Sequence, residues 1–300
     1  MDRLQTMSVF VAVAEEAGFA PAARRLNISP PSITRAVSDL EIRLGARLLH
    51  RTTRSVKLTE AGHRYLADCR RILSDVEEAD RHAGGIHSAP KGLVSITASL
   101  NFGRVAVMPI LLDLLDRYPD ISVSTLLVDR VTHLVDEGID VAVRIAELAD
   151  SSMMAVRVGS VRRVLCASPD YLDRCGRPQQ LSDLADHDFI NFVNMTRAGD
   201  WAFYEDGELR NIKLSSRLNS NSSDVTMAAA ITGRGIARAL SYAIIPHVNS
   251  GALEIILEAF EPPALPVHVV HKEPGHTSAR VRAVVDHLVH HLRENPILDH

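Results

Sequence analysis

Between residues 4 and 44 apolar side chains recur every three or four positions, and the run is interrupted twice. Leu4, Met7, Phe10 or Val11, and Ala14 fall on one face of a first helix, which Gly18 ends. Phe19–Leu26 reads as a short second helix, with Pro21 tolerable in its first turn and Ala22 and Ala23 small enough for close packing. The break "NISPP" follows. Ser29 suits an N-cap, and Pro30 and Pro31 suit a first turn where an N–H is not needed. The helix Pro31–Leu44 then turns Ile33, Val37, Leu40 and Leu44 inward and Ser32, Arg35 and Ser38 outward. A short helix, a tight turn and a second helix with a polar and basic outer face form a helix-turn-helix arrangement.

Beyond Leu44–Gly45, Arg51, Arg54 and Lys57 stand among Thr, Ser and β-branched residues, a pattern that predicts a small β-wing. Thr59 is placed to cap a long helix running to about His87. Leu58, Ala61, Tyr65, Cys69, Ile72, Val76, Ala79 and Ala83 lie close to a heptad seam along it. Two readings stand for that seam: pairing with a second long helix, or a single helix buried on its own domain. "GGIHSAPKG" (Gly84–Gly92) reads as a hinge.

After the hinge the pattern changes to alternating strands and helices, which implies a mainly parallel sheet. Strands are expected at Leu93–Ala98, Ile121–Val128, Val141–Ile145, Arg163–Ala167, Phe189–Val193 and Val267–Lys272. Helices are expected at Arg104–Tyr118, with Val105, Met108, Leu112 and Leu115 inward, at Arg130–Asp136, near Asp224–Ile231 and at Thr277–Arg293.

Charge sharpens this picture. The chain has 300 residues, 46% hydrophobic, and a net charge of −4, yet Gly18–Tyr65 carries nine Arg and Lys against three acids. A basic module on an acidic body points to a polyanion partner for the module alone. No apolar run approaches the ~18 residues of a membrane span, and the opening "MDRLQTMSVF" lacks the basic and apolar regions of a secretory leader. The three cysteines are scattered without metal-ligand spacing, which fits a reducing, cytoplasmic setting.

"FVAVAEEAGFAPAARRLNISPPSITRAVSDLEIRLGARLLHRTTRSVKLTEAG" resembles the DNA-binding end of a LysR-type transcriptional regulator, through Ala22–Leu26, Ser29, "DLE" at Asp39–Glu41, "LG" at Leu44–Gly45 and "RTTRSVKLTEAG" at Arg51–Gly62. "DVAVRIAEL" (Asp140–Leu148), "CASPDYL" (Cys166–Leu172) and "GRGI" (Gly233–Ile236) extend the resemblance, notably to the CrgA-like subgroup, over nearly the whole chain. It implies a multidomain α/β protein: an N-terminal winged helix-turn-helix with a long linker helix, and a C-terminal two-lobed, periplasmic-binding-protein-like α/β effector domain. The expected divisions are 1–58 for the DNA-binding domain, 59–88 for the linker helix through which dimers form, 89–92 for the hinge and 93–300 for the effector domain. Within the last, lobe I is 93–161 with 266–300, and lobe II is 162–265.

By this resemblance the helix Pro31–Leu44 enters the major groove, where Ser32, Thr34, Arg35 and Ser38 lie nearest the bases. Arg35 is a candidate for a guanine edge or, equally, for a phosphate. Arg51 and Arg54 on the wing are positioning contacts to phosphate or minor groove. Ser29 acts as a cap, and Pro30 and Pro31 hold the reading turn rigid. Pro30 stands where the family often carries Gln, which removes one base-reading side chain. Paired modules imply an inverted-repeat site in double-stranded DNA, and the family implies tetramers. RNA polymerase is a further candidate partner.

For the effector, "ASLN" before a helix offers Ser99, Leu100 and Asn101, a hydroxyl and backbone N–H groups suited to a carboxylate. Family position adds Asp129, Arg130, Arg144, Phe203, Asn219 and Ser220. Arg144 is either a ligand contact or an ion-pair partner of Glu147 or Asp140. A small organic effector, carboxylate or aromatic, is expected, with no cofactor and no metal.

Other chemistries have less support. Gly233-x-Gly235 follows a helix and has Arg238 where a dinucleotide fingerprint needs a small residue. His287 and His291 are spaced for a metal, but no third ligand is near in sequence, so a solvated face is expected. No nucleophile elbow or P-loop occurs, which argues against a metabolic enzyme. A solute-binding protein would account for residues 93–300 and leave the helix-turn-helix unused.

Overall fold

The computed structural model describes residues 1–51, 56–83, 89–148, 153–193, 200–271 and 278–299. The chain divides into two compact units, Met1–Leu93 and Val94–His300.

The first unit is built from α1 (Arg3–Glu15), α2 (Phe19–Leu26), α3 (Pro30–Leu44), the antiparallel pair β1 (Leu49–Arg51) and β2 (Val56–Leu58), and α4 (Glu60–Ala83). Met7, Phe10 and Val13 of α1 close its core with Ala22, Ala23, Ile33, Val37, Leu40, Leu48, Leu66 and Cys69. Leu4 and Leu44 do not join it; they are 39% and 36% exposed. Leu44 is the last residue of α3, and Gly45 turns the chain away in the left-handed region at φ 63°, which leaves that side chain at the edge of the core.

Ser29 occupies the N-cap position of α3, but its side chain makes no capping hydrogen bond. The prolines explain this. Pro31 has no N–H to offer, and the Ser32 N–H is taken by the Ser29 carbonyl at 3.0 Å. The Ser29 hydroxyl instead lies 2.8 Å from that of Ser32. Thr59 does cap: its Oγ1 accepts from the Gly62 N–H at 2.9 Å and donates to the Arg47 carbonyl at 2.7 Å.

Glu41 fastens α3 to the wing. Its Oε1 accepts from the backbone N–H groups of Leu48 (2.8 Å) and Leu49 (3.0 Å). Glu41→Ala leaves both partly buried amides without that acceptor, and urea unfolding is expected to show a loss of about 2 kcal/mol.

The near half of α4 belongs to this core, with Cys69 fully buried and the Tyr65 ring 5.6 Å from that of Phe10. Part of the anticipated seam therefore packs within its own unit. The side chains of Ala79 and Ala83, and His87, lie outside the described residues.

The second unit holds two five-stranded sheets. The first has the order β4-β3-β5-β14-β6, formed by Ile121–Leu127, Gly92–Ala98, Val141–Ile145, Leu265–His271 and Met154–Val161 in that order. The second has the order β11-β8-β12-β7-β13, formed by Ser216–Ser220, Phe189–Phe192, Ile236–Leu240, Arg163–Ala167 and Glu254–Ile256. A hairpin, β9 (Asp200–Glu205) with β10 (Glu208–Lys213), lies beside the second sheet's core.

Both sheets are mixed, which corrects the expectation of mainly parallel pairing. β3 and β5 are parallel, as are β8 with β11 and with β12, but β14 runs antiparallel to β5 and β6, and β7 antiparallel to β12 and β13. The strand β14 returns to the first sheet after the chain has built the second, so the handed crossover that enforces parallel pairing does not constrain it.

Two helix expectations also change. Residues 130–136 form no helix; a single turn ends at Gly138, and it buries Leu134 but leaves Val131 and Val135 exposed, so no continuous apolar face runs along the segment. The expected helix over 104–118 is α5 (Leu100–Phe102), a π-turn (Gly103–Val107) and α6 (Met108–Arg117). It buries Phe102, Ala106, Ile110, Leu111 and Leu114 and leaves Leu112 57% exposed. The π-turn advances the face, and Gly103 lets the turn pack closely on β4: a Cβ there would lie 2.4 Å from Leu127 Cδ2.

The remaining helices are α7 (Pro169–Cys175), α8 (Ser223–Ile231), α9 (Ser241–Asn249) and α10 (Ala279–Arg293). Arg238 of β12 stacks over the Trp201 ring at 5.1 Å, and burial, with Arg163 nearby, lowers its pKa to about 10.

Candidate nucleic-acid interface and effector pocket

Ser29, Pro30, Pro31, Ser32, Thr34 and Arg35 are all exposed on the first turns of α3, and Ser38 is half-buried one turn further on. Thr34 Oγ1 donates back to the Pro30 carbonyl at 3.0 Å. Among the described residues no acid forms an ion pair with Arg35, in contrast to Arg25 and Arg70, which both hold Glu15. Arg51 ends β1, and Arg54 lies outside the described residues.

The second unit contains a cavity of about 740 Å³. Its wall includes Ser99, Asp129, Arg130, Thr132, Arg144 and Phe192. Four anticipated residues therefore meet there: Ser99, Asp129, Arg130 and Arg144. Ser99 Oγ is buried, with the Tyr242 side chain as its neighbour. The Leu100 N–H, expected to be open to an anion, is occupied by Asp129 Oδ1 at 3.0 Å. That correction has a simple cause: Asp129 follows β4, the neighbour of β3, and so arrives beside the amide that follows β3.

Arg130 is bound to Glu137 through two contacts, 2.8 and 2.6 Å, which with the His133 N–H hold the Glu137 pKa down at about 2. Arg144 donates to the Thr132 carbonyl. Neither expected ion pair of Arg144 is among those of the described residues, and Asp140 accepts from the Ser95 N–H at 2.8 Å. Leu100 and Asn101 lie off the cavity wall, and Asn101 Oδ1 accepts from Arg104 at 2.9 Å. Arg104 also reaches across to Asp224 at the start of α8, at 3.2 Å.

Phe203 is corrected outright. It is 3% exposed and packs with Trp201 in the core beneath the hairpin, because positions two apart on a strand share a face. Asn219 and Ser220 do not line the cavity either. Asn219 Oδ1 accepts from Ser216 Oγ (2.6 Å) and Asn191 Nδ2 (3.4 Å), and Ser220 Oγ accepts from the Ser222 N–H (3.1 Å). The aromatic side chain that does line it is Phe192, at the C-terminal end of β8. Carboxyl ends of strands in open α/β sheets are where ligands bind, so that position was open to sequence reasoning.

Gly233 (φ 71°) and Gly235 (φ 147°) serve the turn from α8 into β12, and a Cβ on Gly235 would stand 2.5 Å from the Asp188 carbonyl oxygen. The His287–His291 pair is not on a solvated face without a third group. His287 is buried, and Asp113 of α6 lies 3.0 Å from its Nε2. Burial first, then His291, lowers the His287 pKa.

An exposed helix carrying Arg35 beside a wing, joined to a two-sheet α/β unit with a cavity, is the arrangement expected of a ligand-responsive DNA-binding protein. Residues 4–63 match the model for "Bacterial regulatory helix-turn-helix protein, lysR family", and residues 87–293 match the "LysR substrate binding domain". The chain belongs to the LysR family and is a DNA-binding transcriptional regulator with an effector-binding domain, not an enzyme.

Among curated relatives, the transcriptional regulator DmlR of Escherichia coli K12 is 32% identical over 97% of this chain and 95% of its own. The transcriptional activator AaeR of the same organism is 31% identical over 98% and 95%. A transcriptional repressor of Pseudomonas aeruginosa, PA14_22550, is 31% identical over 99% and 94%. Of solved structures, CrgA from Neisseria meningitidis matches with TM-score 0.62 and 28% identity, covering 96% of this chain and 98% of that one. Full-length AphB of Vibrio cholerae, at 24% identity and TM-score 0.62 over 96% and 99%, shares the fold. No helix among the described residues is long and apolar enough to cross a membrane.

Proposed function

We propose that α3 reads an operator in the major groove, with Arg35 at the centre of a surface formed by Ser29, Pro30, Pro31, Ser32, Thr34 and Ser38. The wing residues Arg51 and Arg54 position the module on the backbone. Residues 1–58 form this module, 59–88 the pairing helix, 89–92 a hinge and 93–300 the effector domain, with lobes 93–161 plus 266–300 and 162–265. Two modules joined through α4 read an inverted repeat, and dimers assemble further into tetramers in the cytoplasm, where RNA polymerase is the onward partner.

The observation that supports DNA reading best is the exposed Arg35, near the N-terminus of α3, with no acidic partner among the described residues. For the effector, a cavity whose wall combines the polar side chains of Ser99, Asp129 and Arg144 with the Phe192 ring supports a small organic ligand held by hydrogen bonds against an aromatic surface. Its binding shifts the population of lobe arrangements and, through the hinge, the spacing of the two modules.

The test is capture of fragmented genomic DNA by the purified full-length protein at two salt concentrations, followed by sequencing. A few enriched sites that share an inverted repeat at both salts support the reading. Uniform capture that vanishes at the higher salt identifies non-specific phosphate binding and overturns it.

A further inference from the structure

Helices α6 and α10 lie side by side in lobe I, and one place between them is unlike the rest of that apolar contact. Asp113 of α6 meets His287 and His291 of α10, which are one turn apart on the same face. Asp113 Oδ2 is 3.0 Å from His287 Nε2 and 3.7 Å from His291 Nε2, and the two imidazole rings are centred 4.3 Å apart. All three ligand atoms lie within 4.8 Å of one another.

Two features separate this group from a chance surface cluster. First, His287 is 94% buried, and its Nε2 comes within 3.0 Å of the Asp113 carboxylate without meeting the angles of a well-formed hydrogen bond. That geometry is compatible with both atoms facing a third point between them. Second, the spacing suits such a point. Donor atoms about 2 Å from a shared tetrahedral centre stand roughly 3.3 Å apart, a value that the 3.0 and 3.7 Å separations bracket.

We propose that Asp113, His287 and His291 form a binding site for a divalent transition-metal ion of the zinc class. Two imidazoles and one carboxylate form a borderline donor set that favours zinc over magnesium or calcium, which prefer oxygen ligands. A bound ion fastens the last helix of the chain to the first long helix of lobe I, with a water or an outside ligand in its fourth position. Asp113 and His291 are 65% and 36% exposed at their side chains, so the ion has a route in from solvent.

The experiment uses the full-length protein, stripped of metal with a chelator and titrated with zinc against a chromophoric competitor. Cobalt is used in parallel as a spectroscopic probe. The expected result is saturable uptake of a single ion per chain, visible cobalt bands of a tetrahedral site, and a higher Tm with zinc. Asp113→Ala and His291→Gln, both at solvent-accessible positions that leave folding intact, each weaken zinc binding by more than about tenfold. His290→Gln leaves it unchanged. His290 and Glu294 form a second, exposed cluster with His291. Zinc affinity that survives Asp113→Ala and falls with His290→Gln or Glu294→Gln assigns the ion to that cluster and overturns the proposal. Absence of stoichiometric uptake by the wild-type chain overturns it as well.

Discussion

Arg35→Ala is expected to remove sequence-specific operator binding while leaving the fold untouched. The side chain is exposed on α3, and no acid among the described residues pairs with it, so its removal changes stability by no more than about 0.5 kcal/mol. A bidentate guanidinium contact to a guanine edge is worth roughly 1–3 kcal/mol of discrimination, and a two-fold site uses it twice. Anisotropy titrations over a salt series, with a captured operator and a scrambled duplex, separate two outcomes. A base-reading Arg35 loses affinity for the operator alone and relaxes preference at one position per half-site. A phosphate contact weakens both duplexes alike and lowers the salt slope by about 1. Unchanged operator affinity in the variant removes Arg35 from the interface.

Gly62→Ala carries the largest expected effect on stability. A Cβ at this position would stand 2.0 Å from the Leu48 carbonyl oxygen and 3.1 Å from Leu58 Cδ2. The first neighbour is backbone and has no rotamer to change. Leu48 is itself fixed, since its N–H is held by Glu41 and its carbonyl accepts from the Thr59 N–H at 2.9 Å. The added methyl must push α4 away from the wing, and overpacking of this kind costs about 3 kcal/mol or more where nothing yields. Urea denaturation of the 300-residue chain should show an early transition from the DNA-binding unit, with the effector unit's transition unmoved. A single transition at the wild-type midpoint would mean that α4 shifts at little cost.

The first unit was largely legible because local rules and the fold agree there. Apolar spacing located Ile33, Val37 and Leu40, and the Pro-Pro pair marked where α3 begins. Ser29 does stand at the N-cap, but its hydroxyl makes no capping bond, because cap chemistry depends on which N–H groups the following residues possess and the prolines that mark the helix remove one. In the second unit the misreadings have a different origin. Residues 105–115 are apolar on more than one face, so spacing could not choose between Leu112 and Leu111, and the π-turn that decides the matter leaves no periodic trace. The hairpin around Asp206-Gly207 was a visible turn signal, and following it would have buried Phe203 with Trp201. The approach of Asp113 to His287 depends on two helices 174 positions apart in sequence, which no local pattern encodes.

The carboxylate of Asp129 on the Leu100 N–H has a consequence for selectivity. Asp129 already holds the Leu100 N–H at 3.0 Å, so a carboxylate docking on that amide would have to displace a charge of its own sign, whereas a hydroxyl or an amine could donate to Asp129 where it stands.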